Sequence, residues 1–264
     1  MATPNVLIVR APGTNCDQET AYAFERAGGK AEILHINRLL ENPSLFGQFQ
    51  ILCIPGGFSY GDDVAAGRIL ANQIEHHLAE QLAQFKAAEK LILGICNGFQ
   101  VLLKSGILLD GNGDGGPAAT LTWNDSGRFE DRWVQLGVDG TKSVFLNGIE
   151  SMYLPIAHAE GKFVPCCDEM RNQLAAAGQL ALRYRPLTNG ADTPLDAAVP
   201  FPDNPNGSVL NVAGVCDPTG RVLGLMPHPE RHIDRTQHPR WTRGEGSDEG
   251  EGLKMFQNAV ACFA

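Results

Sequence analysis

The sequence predicts an α/β protein with a doubly wound, mostly parallel sheet flanked by helices, and with a β-rich second half. Three observations predict this class. Short apolar runs alternate with helical patterns over the first hundred residues, β-like stretches fill the middle, and 30 glycines and 16 prolines indicate many turns. Strands that alternate with helices require right-handed crossovers, which produce a parallel sheet covered on both faces.

The first half of the chain supplies the alternating elements. Its short apolar runs predict strands at residues 6–9, 31–36, 51–55 and 91–95. Apolar residues at helical spacing predict helices at residues 17–27, 67–88 and 97–104. The first helix is expected to stop at a Gly-Gly pair.

The second half is expected to be richer in strands. These are predicted at residues 119–123, 133–138, 152–157, 180–184 and 209–215, with an amphipathic helix at residues 253–263. Clusters of glycine, proline and polar residues predict loops at residues 111–116, 185–206 and 240–252. The simplest interpretation is a single domain over residues 5–264, whose last elements return to the sheet.

Composition and charge exclude several functional classes. A hydrophobic content of 43% is sufficient for a core, so the chain as a whole is not disordered. The net charge of −9 and the lack of a basic run argue against non-specific nucleic-acid binding. We see neither a signal peptide nor an apolar run long enough to span a bilayer, and we therefore expect a cytoplasmic protein.

The seven cysteines are expected to be mostly small, reduced core residues. Adjacent Cys166 and Cys167 have a poor spacing for zinc, and neither they nor His76 and His77 belong to a set of four ligands. We therefore expect no metal site in this chain. One cysteine, Cys96, departs from this interpretation.

Cys96 lies between Gly94 and Gly98, where a predicted buried strand runs directly into a predicted helix. This is the pattern of a nucleophile elbow with cysteine in place of serine, and the glycines allow its tight turn. The N-terminus of the helix favours the thiolate, which is the nucleophilic form of the side chain. A buried structural cysteine at the end of a strand is the alternative.

A base and its orienting group are predicted in the sequence Met-Pro-His-Pro-Glu-Arg near the C-terminus. Two prolines are expected to hold His228 in extended backbone, where residues two apart face the same way. Glu230 could then bind one imidazole nitrogen and leave the other for Cys96, which gives a Cys–His–carboxylate arrangement. A surface histidine and glutamate in a proline-rich loop is the alternative.

A third element, Pro-Gly-Gly-Phe at residues 55–58, directly follows the third predicted strand. Its two glycines could let backbone N–H groups point into a site, as an oxyanion hole requires. An ordinary βα turn explains the glycines equally well. All three elements lie beyond the carboxyl ends of strands, where a doubly wound sheet binds its ligands.

These motifs together resemble those of the class I, or triad, glutamine amidotransferases, which have a flavodoxin-like fold. Six blocks in order also resemble one family of that class, the glutaminase subunits of phosphoribosylformylglycinamidine synthase. The blocks are PGTNCD at residues 12–17, GGFSYGD at 56–62, GICNGFQ at 94–100, IAHAEG at 156–161, NGS at 206–208 and MPHPER at 226–231. Relative to a compact member of the family, residues 111–118 and 240–252 look like loop additions.

The resemblance implies an activity and a set of roles. Cys96, His228 and Glu230 would form the catalytic triad of a glutaminase, Gly57 and Asn97 the oxyanion hole, and Gln100 and Phe58 would bind glutamine. It also implies that ammonia passes to a large synthetase subunit, in a complex with a small accessory subunit, for a step of de novo purine biosynthesis. No P-loop is present in the sequence, so ATP and Mg²⁺ are expected on the synthetase and no cofactor in this chain.

Other interpretations remain open at this stage. A different cysteine-elbow hydrolase, such as a peptidase or a chaperone-like protein, would usually place its histidine directly after the cysteine, where this chain has Asn97. A non-catalytic regulatory subunit would be expected to lack at least one triad residue. His158 and Glu160 form a second His–carboxylate pair in the sequence, which we interpret as residues of the site wall or of a subunit contact. Cys16 is expected to shape the first βα loop and not to react.

Overall fold

A computed structural model describes residues 3–111, 116–138, 142–188, 194 and 197–264. The first half of the chain forms alternating strands and helices, as predicted. They are β1 (Asn5–Arg10), α1 (Asp17–Arg26), β2 (Lys30–His35), α2 (Ile36–Glu41), β3 (Ile51–Ile54), α3 (Arg68–His77), α4 (Ala79–Ala87), β4 (Leu91–Ile95) and α5 (Asn97–Lys104). All residues of β3 and β4 are buried, which is typical of parallel strands covered on both faces.

The second half is richer in strands, as the sequence predicts. Its elements are β5 (Ala119–Thr122), β6 (Glu130–Val138), β7 (Ser151–His158), β8 (Lys162–Pro165), α6 (Asp168–Ala176), β9 (Leu182–Arg185), β10 (Val212–Cys216), β11 (Val222–Leu225) and α7 (Leu253–Ala261). Along β7 every second residue is buried, so one face of this strand packs on the core.

In the described part of the chain, nine strands form one sheet in the order β2-β1-β3-β4-β11-β10-β9-β6-β7. The pairs from β2 to β11 are parallel, and those from β11 to β7 are antiparallel. Strands β5 and β8 form a separate antiparallel ribbon. The α/β class is therefore confirmed, with a mixed sheet whose parallel half comes from the start of the chain and from β11.

Several predicted elements differ from the observed ones. The pattern over residues 67–88 is two helices, because the backbone leaves the helical region at Leu78 (φ −128°, ψ 5°). In the segment 209–215 only the part from Val212 onward is a strand, preceded by a 3₁₀ turn at Val209–Asn211. The elements α2, β8, α6 and β11 were not predicted, since they are short or polar and give little periodicity.

The two segments interpreted as loop additions differ in how far they can be described. Within the first, residues 112–115 lie outside the described residues. The second, residues 240–252, packs onto the antiparallel half of the sheet, because the Glu251 carboxylate accepts a hydrogen bond from the Tyr153 N–H at 2.6 Å. An antiparallel bridge between Asp234 and Glu249 closes the same segment.

The buried apolar side chains of both halves form one cluster. It includes Leu7, Leu52 and Leu93 of the parallel strands as well as Leu136 and Leu154 of the antiparallel ones. We predict a single domain over residues 5–264, and a core shared by both halves agrees with that prediction. Within the ranges that the structure describes, no helix combines the length and apolar character needed to cross a membrane.

Candidate active site

The carboxyl ends of β1, β3, β4 and β11 lie side by side at one edge of the sheet. The residues that follow these strands include Cys16, Gly57, Cys96 and His228, which come from distant parts of the sequence. Strand β11 is parallel to β4 and pairs with it along its length, with Leu225 opposite Ile95. The unpredicted strand β11 is thus the element that carries His228 to the edge where Cys96 lies.

Cys96 occupies a strained turn between β4 and α5. Its backbone has φ 51° and ψ −105°, and it is the residue that precedes the first turn of the helix. Positive φ is uncommon for a residue with a side chain and is found where the surroundings hold the backbone in place, often at active sites. The Cys96 N–H donates a hydrogen bond to the Leu225 carbonyl at 2.7 Å, which fixes the turn to β11. The predicted elbow is therefore present.

The two glycines around Cys96 allow this turn because no side chain would fit at either position. A Cβ atom on Gly98 would lie 1.8 Å from the Ile54 carbonyl oxygen, and one on Gly94 would lie 2.7 Å from the Gly98 carbonyl oxygen. Both glycines permit α5 to approach β3 and β4 closely. This close approach explains why glycines lie on both sides of Cys96 in the sequence.

We expect Gly98→Ala to destabilise the protein by about 3 kcal/mol or more, since the new methyl group collides with backbone and not with a flexible side chain. Denaturant unfolding of this variant and of Gly47→Ala measures the effect. A methyl group on Gly47 would meet no atom within 4 Å among the residues described. A loss for Gly98→Ala no larger than for Gly47→Ala would contradict the packing argument.

His228 and Glu230 form a buried hydrogen-bonded pair. The Nδ1 atom of His228 lies 2.6 Å from the Glu230 carboxylate, and both residues are almost completely buried. An ionised carboxylate only accepts hydrogen bonds, so Nδ1 carries the proton and Nε2 faces away from Glu230. The sequence predicted this pair from an extended backbone, and that reason is wrong: Pro229–Arg231 form a 3₁₀ turn, which brings Glu230 under the ring.

The charges around His228 favour its protonated form. Burial lowers its pKa, but the charges of Glu230 and Cys96, together with the nearby thiol groups of Cys16 and Cys96, raise the pKa well above its usual value. Among the residues described, no partner of the His228 Nε2 atom meets the full geometry of a hydrogen bond. This nitrogen is therefore available to a group that enters the site beside Cys96.

Cys16 is a residue of the site that the sequence analysis did not predict. Its sulfur contacts His228 from the side of β1, and the guanidinium of Arg231 donates a hydrogen bond to it at 3.1 Å. Burial raises the pKa of Cys16, although the hydrogen bond with His228 acts in the opposite direction. Gly56 leaves room for this contact, since its Cβ would lie 2.7 Å from the ring of His228. The one feature of the sequence that could have predicted Cys16 as a site residue is its position just beyond the carboxyl end of β1.

Donor atoms of Cys16, His228 and Glu230 lie within 4.8 Å of one another, which raises the question of a metal site. The hydrogen bond between His228 and Glu230 uses one ring nitrogen of His228 and one carboxylate oxygen of Glu230. The Arg231 guanidinium lies against the Cys16 sulfur and would repel a cation. The three residues therefore fit a hydrogen-bonded cluster better than a metal site.

The residues expected to form an oxyanion hole lie at this edge, one in the loop after β3 and one at the start of α5. Asn97 begins helix α5, where backbone N–H groups have no partner within the helix. Gly57 has φ 138°, and a Cβ there would lie 2.7 Å from the Asn15 nitrogen, so only glycine fits. The loop of Gly57 is joined to the start of α5, because the Asn97 side chain accepts a hydrogen bond from the Ser59 N–H at 3.2 Å.

A cavity of about 210 Å³ opens beside Cys96. Among its lining residues are Gly57, Phe58, Gln100, Trp123 and His158. The two predicted substrate-binding residues thus both reach the cavity. The Gln100 side chain is already hydrogen-bonded to the Glu160 carbonyl at 2.6 Å, so it shapes the wall of the cavity through this contact. Phe58, which lines the cavity, is 44% exposed.

His158 lies at the end of β7 and is held in one tautomer. Its Nδ1 atom is 3.1 Å from Asn124 Oδ1, while the Asn124 amide nitrogen donates to the carbonyls of His158 and Arg128. Since Asn124 Oδ1 must accept, Nδ1 of His158 carries the proton. Burial, with a smaller contribution from the charge of His228, lowers the pKa of His158 to about 3. The imidazole is therefore neutral at neutral pH.

The neutral state of His158 predicts a dependence of stability on pH. In the unfolded chain the ring takes up a proton near pH 6.5, whereas in the folded protein it does so only near pH 3. Stability is therefore complete above pH 6.5 and is lost as the pH falls toward 3, by up to about 1.4 kcal/mol per pH unit. We expect His158→Phe to lose less stability than the wild type between pH 7 and pH 4.5 in urea unfolding. Equal losses would show that His158 is not held neutral.

Comparisons with known proteins assign the chain to a family. The profile of the CobB/CobQ-like glutamine amidotransferase domain matches residues 3–263. The phosphoribosylformylglycinamidine synthase subunit PurQ of Dehalococcoides mccartyi is 46% identical over 98% of this chain and 98% of that protein. The subunit of the same name from Methanococcus maripaludis is 37% identical over 98% and 97% of the two chains. A chain in the structure of PurLQS from Thermotoga maritima superposes with a TM-score of 0.71 and 31% identity, each chain being covered completely.

The fold, the cysteine elbow and the matched profile define the class of this protein, which is a glutamine amidotransferase. Within that class, relatives well above 30% identity match it over nearly its whole length. The chain therefore belongs to the family of phosphoribosylformylglycinamidine synthase PurQ subunits.

Proposed function

We propose that this chain is the glutaminase subunit of phosphoribosylformylglycinamidine synthase. It hydrolyses glutamine to glutamate and ammonia and delivers the ammonia to a synthetase subunit. With ATP, that subunit converts formylglycinamide ribonucleotide to formylglycinamidine ribonucleotide in de novo purine biosynthesis. The observation that carries the proposal is the buried His228–Glu230 pair beside the strained turn of Cys96.

The first half of the proposed reaction forms a thioester. The Cys96 thiolate attacks the side-chain amide carbon of glutamine, and the backbone N–H groups of Gly57 and Asn97 hold the oxyanion that develops. His228 then gives its Nε2 proton to the amide nitrogen, so that the carbon–nitrogen bond breaks and ammonia leaves. Glu230 keeps the ring oriented and stabilises its positive charge before this transfer.

The second half hydrolyses the thioester. Neutral His228 now takes a proton from a water molecule, which attacks the carbonyl carbon of the glutamyl thioester. The same backbone N–H groups hold the second oxyanion. Its collapse releases glutamate and restores the Cys96 thiolate beside a protonated His228, so the protons balance over one cycle.

The cavity next to Cys96 suits a small, polar amino acid. Its volume of about 210 Å³ is of the size of a single glutamine, and its wall contains Gln100 and the carboxyl-bearing residues Asp62 and Glu160. Carboxylates could attract the ammonium group of an amino acid substrate. Phe58 would cover the bound glutamine, as the resemblance implies.

The proposed partners follow from the family. We assign the large synthetase subunit and a small accessory subunit as partners in one cytoplasmic complex, with neither nucleic acid nor membrane as a partner. ATP and Mg²⁺ belong to the synthetase in this proposal, and this chain needs no cofactor. Exposed aromatic residues on and beside the cavity support a partner there: Phe58 and Trp123 line it, and the ring of Phe129 lies 6.4 Å from that of Phe58.

The proposal is tested by reconstitution of the complex with its synthetase. We expect glutamate release and formylglycinamidine ribonucleotide formation in equal amounts when glutamine, ATP and formylglycinamide ribonucleotide are all present. Glutamine hydrolysis by the isolated chain serves as the reference. A complex that uses free ammonia but never glutamine would contradict the proposal.

A further inference from the structure

His158 contains a buried polar atom that the reaction described above does not use. The residue is 3% exposed and lines the cavity beside Cys96. In the described part of the structure, its Nε2 atom has no hydrogen-bond partner. A buried acceptor without a donor costs free energy, so such an atom in an active site calls for a ligand that supplies the donor.

The remaining atoms of the ring are already engaged. Nδ1 donates to Asn124 Oδ1, and one face of the ring lies against Gly161, where a Cβ would come within 2.3 Å of it. Asn124 Oδ1 also accepts a hydrogen bond from the Gly161 N–H at 3.1 Å. The tautomer and the orientation of the ring are thus fixed, which leaves Nε2 as a permanent acceptor.

Strand β7 places His158 at the edge of the sheet where Cys96 and His228 lie. The carbonyl of Ala157, the residue before His158, lies 3.7 Å from the Cys96 sulfur. The carbonyl of Pro155 accepts a hydrogen bond from the His228 N–H at 2.8 Å. The end of β7 therefore runs past both Cys96 and His228, and the charge of His228 is felt at the ring of His158.

The carboxylates of the cavity are held by hydrogen bonds from other elements. Asp62 accepts from the Asn97 side chain at 3.1 Å, and Glu160 accepts from the Ala66 N–H at 3.3 Å. These negative groups are the better partners for the ammonium group of an amino acid. A neutral imidazole suits a neutral N–H donor, which in glutamine is the side-chain amide.

On the basis of the proposed glutaminase function, we propose that Nε2 of His158 accepts a hydrogen bond from the nitrogen that leaves glutamine. When the carbon–nitrogen bond breaks, its electron pair stays on the nitrogen, which receives the Nε2 proton of His228. The product is ammonia with three N–H groups, one of which His158 binds. No proton passes to His158.

A neutral acceptor has an advantage over a carboxylate at this position. A carboxylate would stabilise ammonium, and ammonium is not a nucleophile for the synthetase. Because His158 is resistant to protonation, it can bind the product and leave it as ammonia. His158 is thus a catalytic residue that acts on the leaving group.

The test compares two substrates that differ only in the leaving group. The γ-methyl ester of glutamate loses methanol, and its leaving oxygen carries no N–H group that His158 could bind. Glutamine loses ammonia, whose nitrogen carries N–H groups. We expect His158→Phe, assayed in the complex with the synthetase, to lower kcat/KM for glutamine about tenfold or more and to change ester hydrolysis by less than about twofold. His158→Gln, which keeps an acceptor, should recover part of the loss.

His232 provides a matched control, because it is also buried, donates through Nδ1 to a carbonyl and has an Nε2 atom without a donor among the residues described. It does not line the cavity. His232→Phe should leave the ratio of glutamine to ester hydrolysis unchanged, and thermal melting checks that each variant is folded.

Equal losses on both substrates in His158→Phe, or no loss on either, would overturn the role of His158. If His158→Phe does not fold, His158→Gln is measured in its place. Lower activity on both substrates, with an unchanged ratio of glutamine to ester hydrolysis, would then count against the proposal. A folded wild-type complex that hydrolyses neither substrate would instead reject the glutaminase function itself.

Discussion

Cys96→Ala is expected to lower the kcat of glutamine hydrolysis by about 10⁴- to 10⁶-fold, because the thioester cannot form without the nucleophile. The cavity beside Cys96 is lined mainly by other residues, so glutamine should still bind. The variant complex should retain product formation from added ammonium salts, since that step belongs to the synthetase in our proposal. Steady-state assays with glutamine and with ammonium measure both activities.

The control for this experiment is Cys262→Ala, which removes an exposed thiol near the end of α7. It should leave the glutamine-dependent activity unchanged. Full glutamine-dependent activity in Cys96→Ala would contradict the assignment of the nucleophile. Loss of the ammonia-dependent activity in the same variant would instead indicate a damaged complex.

Glu230→Gln is expected to lower kcat by about 10²- to 10⁴-fold, because the amide no longer holds the imidazole in the required tautomer and charge state. Glu230 is 1% exposed and its carboxylate lies 2.6 Å from His228 Nδ1, so no water molecule could easily replace it. Kinetic assays on the folded variant measure this effect, and Glu249→Gln, the same change at an exposed position, is the control.

The same variant should change the pH profile in a defined direction. The charge of Glu230 helps to raise the pKa of His228, and protonated His228 is the acid that releases ammonia. Activity in the wild type should therefore persist to high pH and fall as His228 loses its proton. Without the Glu230 charge this fall should occur at lower pH in kcat/KM profiles. A fall at an unchanged or higher pH would contradict the electrostatic role of Glu230.

The sequence was sufficient to predict the four parallel strands from the start of the chain and the residues that meet at the elbow. Glycines on either side of Cys96 restrict the local backbone to a tight turn, and α5 was predicted with its observed limits, Asn97–Lys104. Such signals are local, since they depend on steric constraints within a few residues. His228 and Glu230 are two residues apart, so their pairing was also a local prediction, although its assumed geometry was wrong.

Long-range features of the site could not be predicted in the same way. The contact of Cys16 with His228 depends on how β1 and β11 are placed in the sheet, and β11 has only four residues with weak periodicity. The tautomer of His158 depends on Asn124, which is remote in sequence and gives no local pattern. These contacts arise from the packing of the mixed sheet, which periodicity does not encode.

The central claim is that Cys96 is the nucleophile of a glutaminase. The most direct test is reaction of the complex with the diazo-ketone analogue of glutamine, followed by peptide mapping by mass spectrometry. We predict a single adduct on Cys96, formed together with complete loss of glutamine-dependent activity and prevented by excess glutamine. An adduct on Cys16, the other thiol next to His228, or inactivation with Cys96 unmodified, would contradict it.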